Sequence, residues 1–362
     1  LYAGDFANGG VASITDTRLG AVFNNMGSDF NFYISNIVTG AKTRSPSINW
    51  SEIQKPLTTL ELIASTDVYA LGAVINTSGF TTSGDSGGGS WVQNGVTGQT
   101  ESQSPSQLVD ALLNDASGNQ WVLVPIDNAP EAGISIESLG GLGDNFTDIL
   151  LPFNAWEASS SVILQFGAGD FVSSGELRVR TKFKKMVGSG RKATVIRSQK
   201  TSGNAIKFAP AAPTVGVEFL TDCGLSDMSL TFTNSANTAV GLYLEQCSTF
   251  EFSRASINFT QRCLVVAGGQ GSQFSNFVLA SAGSTGATIA SAGVMEFIPA
   301  LMSDGVSYQT PYTCAIVNFS IGGAFLSESL IYIAACDGLN FSGAYLGGAL
   351  TNTVNFNVNS VG

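Results

Sequence analysis

The sequence predicts a mainly β protein whose larger part is a parallel β-helix, and two observations carry that expectation. The first is composition. Only 12% of the 362 residues are charged, while 42 are Gly and 23 are Phe. Such a mix suits many short strands and tight turns better than long solvated helices. The second is an internal period near 22 residues. Residues 225–232 (LSDMSLTF) align with 252–259 (FSRASINF) and with 274–279 (FSNFVL), and the triplets Asn318-Phe319-Ser320 and Asn340-Phe341-Ser342 continue the phase. The aligned apolar residues are Met228, Ala255, Phe277, Phe319 and Phe341, at separations of 27, 22, 42 and 22, the 42 reading as two turns. A second register matches 242–247 (LYLEQC) with 331–336 (IYIAAC), 89 residues apart, which reads as four turns. A period of this length, rich in β-branched and aromatic residues, implies one three-strand coil per repeat. A leucine-rich repeat has a similar period, but its L-x-x-L-x-L skeleton is missing.

Taken in order, residues 1–56 hold short apolar patches at 21–23 and 30–37 among Asn, Gly and Ser, with no motif. Residues 57–130 read as a small β-rich domain. Gly84, Gly87, Gly88 and Gly89 mark a tight turn between strands, and Trp91 and Trp121 anchor its core. Within it, SPSQLVDALLNDASG carries helix signals: Ser104 or Ser106 as cap, Leu108, Leu112 and Leu113 as a face, Gly118 as stop. Pro125 and Pro130 punctuate a connector to residues 131–362, the expected capping helix and β-helix. GGLGDNFTD, at 140–148, sits where a phosphate loop would. Asp144 would repel a phosphate, no Lys-Ser/Thr pair follows, and no alternating βαβ units follow. The glycines are instead expected to supply turns, with Thr147 or Asp148 capping a short helix over the first coil's open end and Pro152 near its first turn. Asp227, Arg254, Asn276, Asn318 and Asn340 precede the aligned apolar positions and are expected to take the left-handed turn between coil strands. The chain still reads as coil at NVNSVG, so the β-helix is expected to be incomplete there.

Much chemistry is excluded. The chain has no His, which removes a Ser-His-Asp triad, a Cys-His pair and any His-ligated metal. Cys223, Cys247, Cys263, Cys314 and Cys336 form no C-x-x-C and read as reduced core residues. No metal and no cofactor is expected. A net charge of −11 disfavours nucleic acid as a partner. No run of 18 apolar residues suggests a membrane span, and no basic, then apolar, N-terminal stretch suggests a secretory signal.

Three stretches carry a family likeness. GFTTSGDSGGGSW with the later NDASGNQWVLV resembles the small domain preceding many phage β-helices. LGGLGDNFTDILLPFNAWEAS is similar to a G-A-x-G-D-G-x-x-D-D-T stretch and its capping helix, although Ile149 replaces the second Asp and no Thr follows. VILQFGAGDFVSSGELRV is similar to the strand–turn–strand that opens the first coil, and GLYLEQCSTFEFSRASINF to ordinary coil sequence. Together, over about residues 57–362, they resemble bacteriophage tailspikes with a pectate-lyase-like right-handed parallel β-helix. The resemblance implies a homotrimer on the virion tail, extracellular when active. Residues 1–56 would then attach to tail or portal-proximal proteins, and the β-helix would recognise host capsule or lipopolysaccharide. Cleavage of that polysaccharide, by hydrolysis or β-elimination, is left open. A non-enzymatic tail fibre of the same fold is the main alternative, a secreted polysaccharide lyase a weaker one.

Strand parity nominates residues for that role. Val240, Leu242 and Leu244 should face inward, leaving Tyr243 and Glu245 outside. Matching GVEF (216–219) to GLYL (241–244) places Glu218 one coil from Tyr243, and Glu251 lies outward between Phe250 and Phe252. Glu218, Glu245 and Glu251 are the candidate catalytic carboxylates, since hydrolysis needs two such groups about 5–9.5 Å apart. Tyr243 and Tyr332 are candidate stacking platforms. In LRVRTKFKK, Arg178, Arg180, Lys182 and Lys184 alternate with Leu177, Val179, Thr181 and Phe183. Period two puts the four charges on one exposed face, suited to an anionic glycan or an acidic neighbouring subunit as well as to plain solvation.

Overall fold

Alternating apolar residues on short strands bury one side only if another strand stacks above them, and this chain satisfies that need by coiling. The computed structural model describes residues 33–35, 42–44, 57–93 apart from 68, 70, 84 and 86, then 112–124, 133–211, 219–234, 237–281, 289–302, 306, 308–324, 327–349 and 352–356. Two compact units result, Leu1–Pro56 and Leu57–Gly362. The first contains an antiparallel pair, Tyr33–Ser35 with Lys42–Arg44.

The second unit opens with helix α1, Thr59–Ile63, held by a reciprocal capping box between Thr58 and Glu61. An antiparallel sheet follows, in the order Val74–Asn76, Ser90–Gln93, Gln120–Val124, Leu112–Asn114. Trp91 and Trp121 are fully buried, their indole N–H groups donating to Thr77 Oγ1 at 3.3 Å and Asp115 Oδ2 at 3.0 Å. The helix expected around Leu112 and Leu113 is a strand there; residues 104–111 of that segment lie outside the described residues. Turn chemistry prevails over the apolar spacing. Asp115 Oδ1 accepts from the N–H groups of Ser117 and Asn119, and Gly118 takes φ 83°, which closes a hairpin.

The β-helix occupies the rest. Among the described residues its strands form a large thirteen-stranded sheet and a seven-stranded sheet, paired in parallel from coil to coil. Inward residues stack in registered rows. One row on the large sheet runs Leu164, Met186, Leu225, Phe252, Phe274, Ile316, Phe341. On the seven-stranded sheet Leu177, Ile206, Leu242, Leu264, Met295 and Ile331 form another. Fully burying each such side chain is worth about 1.5–3 kcal/mol, so these rows dominate the fold's energy.

Register corrects three readings. Phe277 pairs directly with Phe319, their rings stacked at 5.4 Å, so the 42-residue interval is one coil enlarged by an insertion. Leu242 and Ile331 do share a row, yet three steps separate them, not four, because the later coils are longer. The left-handed corner holds at Asp227, Arg254, Asn276 and Asn318, with φ between 48° and 58°, but its next member is Gly343 at φ 63°. Asn340 pairs with Ala315 instead. The two Asn-Phe-Ser triplets imitate each other in sequence but lie three residues out of register. A Cβ at 343 would come within 2.5 Å of Asn318 Oδ1, so a larger residue there needs the Asn318 side chain to shift.

The lid over the first coil also differs in detail. Asp144–Asp148 is a strand beside Gly169–Ser173, and helix α2, Leu150–Ala158, starts with Ile149 at the N-cap position. Neither Thr147 nor Asp148 is the N-cap residue, although Asp148 Oδ1 still accepts the Leu150 N–H at 3.1 Å. Pro152 falls in the first turn, where its missing N–H costs nothing. Phe153, Ala155 and Trp156 are buried on the coil's apolar end.

Lys184 completes this lid, which contradicts its expected exposure. The strand Leu177–Val179 ends before it, and Phe183 takes φ 69° and lies 54% exposed. That flip breaks the alternation and turns Lys184 inward, to 2% exposure. Its Nζ donates to the carbonyls of Trp156, Ser159 and Ser161 at 2.9, 2.8 and 2.7 Å, and sits 4.8 Å from the Trp156 ring. Burial pushes this ammonium down to about 8, so it stays charged at neutral pH. The cation satisfies the carbonyls of Ser159 and Ser161 just past α2 and adds a donor to the Trp156 carbonyl, which also accepts from the Ser159 N–H and hydroxyl. Replacing Lys184 by Met keeps the apolar stem but takes the donor from the Ser159 and Ser161 carbonyls and one donor from that of Trp156. The expected cost is about 3 kcal/mol of stability, read as a lower urea midpoint at unchanged slope.

Candidate functional site

The outward row of the seven-stranded sheet gathers most of the polar chemistry. Arg178, Lys207, Tyr243, Val265, Glu296, Tyr332 and Asn355 are successive partners across seven coils. From Arg178 to Tyr332 each lies between two buried apolar residues, as Tyr243 does between Leu242 and Leu244, so strand parity alone sets the row. Neighbouring coils are about 4.8 Å apart, so the row forms a continuous strip along the helix axis.

Contacts lock this strip. Lys207 Nζ lies 2.6 Å from Glu245 Oε2 and 5.0 Å from the centre of the Tyr243 ring. Arg262 binds Glu296 with both arms, Nε to Oε1 and Nη2 to Oε2, each at 2.7 Å. The Gly293 N–H adds a third donor to Glu296 at 3.2 Å. Glu296 is only 2% exposed and Tyr332 8%, so the strip is a partly sunken, rigid surface. Burial, then the nearby Glu245 charge, pushes the Tyr243 phenol up to about 12; it stays a neutral hydroxyl that can both donate and accept. At one end the Arg178 Nε is buried without a hydrogen-bond partner among the described residues. Near Glu245, an antiparallel hairpin, Ala300–Leu301 with Tyr308–Gln309, rises from the enlarged coil, where Gln246 Nε2 meets Met302 Sδ at 2.6 Å.

Of the residues nominated by sequence, Tyr243, Tyr332 and Arg178 meet in this row, and Glu245 lies beside it. Arg180 and Lys182 are exposed just beyond the strand that carries Arg178, while Lys184 is the buried lid cation. Glu251 stands on the large sheet, exposed and 3.9 Å from Lys185, and so shares no row with Glu245. Glu218 lies outside the described residues; the position one coil before Tyr243, which it was expected to fill, belongs to Lys207. Sequence reasoning missed Lys207, Arg262 and Glu296. Parity in IKF (206–208) and VMEF (294–297) would have revealed Lys207 and Glu296, had the coil lengths been known.

A second concavity runs along the left-handed corner of the large sheet. It is a groove of about 650 Å³ lined by Arg191, Asp227, Arg254, Asn276, Asn318 and Gly343, among others. Arg254 grips Asp227 with Nε and Nη2 at 2.6 and 2.7 Å, and these hydrogen bonds hold the Asp227 carboxyl below its ordinary range. Among the described residues no group of three or more His, Cys, Asp or Glu could hold a metal ion, and no helix is long and apolar enough to cross a membrane.

No family model matches the sequence, and no curated protein is similar to it. Solved structures are similar in fold. The gp42 tailspike of Acinetobacter phage vb_AbaP_AS12 is 14% identical, over 80% of this chain and 49% of that one, with a TM-score of 0.53. The fold is a parallel β-helix of the kind that tailspikes use. The tailspike of Acinetobacter baumannii phage AM24 is 11% identical over 87% of this chain and 60% of its own, TM-score 0.45. The Streptococcus pneumoniae surface adhesin PfbA is 12% identical over 62% and 63%, TM-score 0.49. The chain thus spans between about half and two thirds of the length of these structures, and at such identities the likeness is one of fold.

Proposed function

We propose that this chain is part of a phage tailspike whose seven-stranded face binds a bacterial surface polysaccharide. The observation that carries the reading is the single outward row in which Lys207, Tyr243, Glu296 and Tyr332 stand in register, with Glu245 and Arg262 closing ion pairs beside it. A glycan chain is a linear ligand with repeating apolar ring faces and hydroxyl edges. A strip that sets two aromatic rings among fixed charged groups along one axis, with the buried Val265 between Tyr243 and Glu296, offers a complement to both features, and its rigidity removes an ordering cost on binding. Arg178, Arg180 and Lys182 place positive charge at one end of the face, which favours an anionic glycan. The fold shared with a tailspike supports the virion as the setting, and the resemblance of residues 57–362 supports the same.

Binding is the favoured activity. Glu245 and Glu296 each hold a cation at 2.6–2.7 Å, so the face offers ion pairs where a hydrolase would keep an acid and a base flanking the scissile bond, and Glu251 stands apart on the large sheet beside Lys185. In this reading residues 1–56 serve attachment to the virion tail, and three copies of the chain assemble side by side.

The test is a panel of purified capsular polysaccharides and lipopolysaccharides, with binding measured by titration and the glycan sized after incubation. One member of the panel should bind, and its affinity should fall about tenfold with Tyr243→Ala, equivalent to ~1.4 kcal/mol for a lost aromatic platform. Binding that ignores Tyr243→Ala would remove the face from the account, and a shortened glycan would replace binding by depolymerisation. Light scattering on the purified chain should give three times the mass of one chain; a monomeric mass at micromolar concentration would contradict the assembly.

A further inference from the structure

The corner groove of the large sheet has a composition that coil mechanics alone does not explain. A left-handed corner needs a residue that tolerates positive φ, and Gly, Asn or Asp meets that need at little cost. Arg does not, yet Arg254 takes φ 48° at this corner. Its two-pronged grip on Asp227, one coil earlier, holds it there and leaves the pair internally neutral. Backbone bonds keep the row aligned, the Asp227 N–H donating to the Ser253 carbonyl at 3.2 Å and the Arg254 N–H to that of Ser275 at 3.1 Å. The row therefore offers one polar side chain per coil, about 4.8 Å from the next along the axis. Three groups in this groove are uncommitted. The Arg191 guanidinium is exposed and has no ion pair or hydrogen bond among the described residues. The carboxamides of Asn276 and Asn318 are likewise exposed and without partners there. Asn318 Oδ1 lies over Gly343, 2.5 Å from where a Cβ would stand, so the run of amides ends in open space. Beneath the row, Phe277 and Phe319 are buried and stacked at 5.4 Å, which makes its floor rigid.

We propose that this groove is a second saccharide site, which takes a short acidic sugar chain lying along the helix axis. Its volume of about 650 Å³ is in the range of sites for ligands of that size. Two guanidiniums against one carboxylate line it, a local excess of positive charge in a chain whose net charge is −11. The sugar carboxylate pairs with Arg191, a charge-assisted bond. The sugar hydroxyls exchange hydrogen bonds with the Asn276 and Asn318 amides, each of which can donate and accept. Arg254 is a positioning residue: by holding Asp227 it keeps that carboxylate from repelling an acidic ligand. The row also has a direction, with the acidic end of the ligand toward the first coils and a hydroxyl edge toward Gly343. Because the phenyl rings are buried, recognition rests on charge and hydrogen bonds, and it weakens with salt. The site lies on the large sheet and is independent of the seven-stranded face.

The experiment uses the full chain with digalacturonate as probe and the neutral galactose disaccharide as control, affinity being read by titration and saturation-transfer NMR. Digalacturonate should bind, the neutral disaccharide should not, and added salt should weaken the complex. Arg191→Ala should lower the affinity about tenfold. The double variant Asn276→Gly with Asn318→Gly should lower it to a similar degree. Glycine keeps the left-handed φ, so the corner survives and only the amides are lost. A purely mechanical role for the two asparagines predicts no change in that variant. Absence of binding, equal binding of the neutral disaccharide, or an affinity unaltered in either variant would each overturn the proposal. Binding lost in Tyr243→Ala but retained in Arg191→Ala would overturn it too, by moving the sugar to the seven-stranded face. Tyr243→Ala tests that face and Arg191→Ala tests the groove, so either site can fail alone.

Discussion

Everything in the larger unit depends on keeping one apolar side chain directly above another from coil to coil. A parallel coil has no hairpin to set its register; only the stacked rows do so, and a slip of one residue would turn each row outward. Phe252, Phe274, Ile316 and Phe341 hold one such row, and Phe277 stacked on Phe319 holds the next. The constraint also says where the chain is free to vary. The largest addition lies between rungs, where the 42-residue coil carries its hairpin, and shorter bulges of two residues are taken up within strands Asp144–Asp148 and Ile289–Ile298.

The functional face is a consequence of the same register. Once Leu242 and Leu244 face inward, Tyr243 has no choice but to face outward, and its partners above and below are Lys207 and Val265. The side chains there are then fixed by ion pairs that bridge coils, Lys207 with Glu245 and Arg262 with Glu296. At the other end of the fold, Lys184 is a charge used structurally, fastening the end of α2 to the chain that opens the first coils.

What the sequence revealed follows from how local each signal is. The row of Met228, Ala255, Phe277 and Phe319 was legible because three of its four corners use Asp or Asn, which tolerate a left-handed turn. Tyr243 and Tyr332 were placed in one row by a six-residue match. Coil count was not legible, since a long coil and two short ones have the same spacing, and without the count Lys207 could not be told from Glu218 as the partner of Tyr243. Lys184 was misread because period two holds only while the strand lasts, and Phe183 ends it. Leu112 and Leu113 were misread because Asp115 and Gly118 make a hairpin turn that outweighs helical spacing over so short a segment.

The central claim is that the outward row of the seven-stranded sheet is the polysaccharide face. Hydrogen exchange of the full chain, with and without a bound surface polysaccharide, tests it most directly. The account predicts added protection concentrated in the strands Asn204–Phe208, Val240–Glu245, Arg262–Ala267 and Ser327–Ile333. Protection centred instead on the corner groove around Asp227, Arg254 and Asn318, with these four strands unchanged, would contradict it.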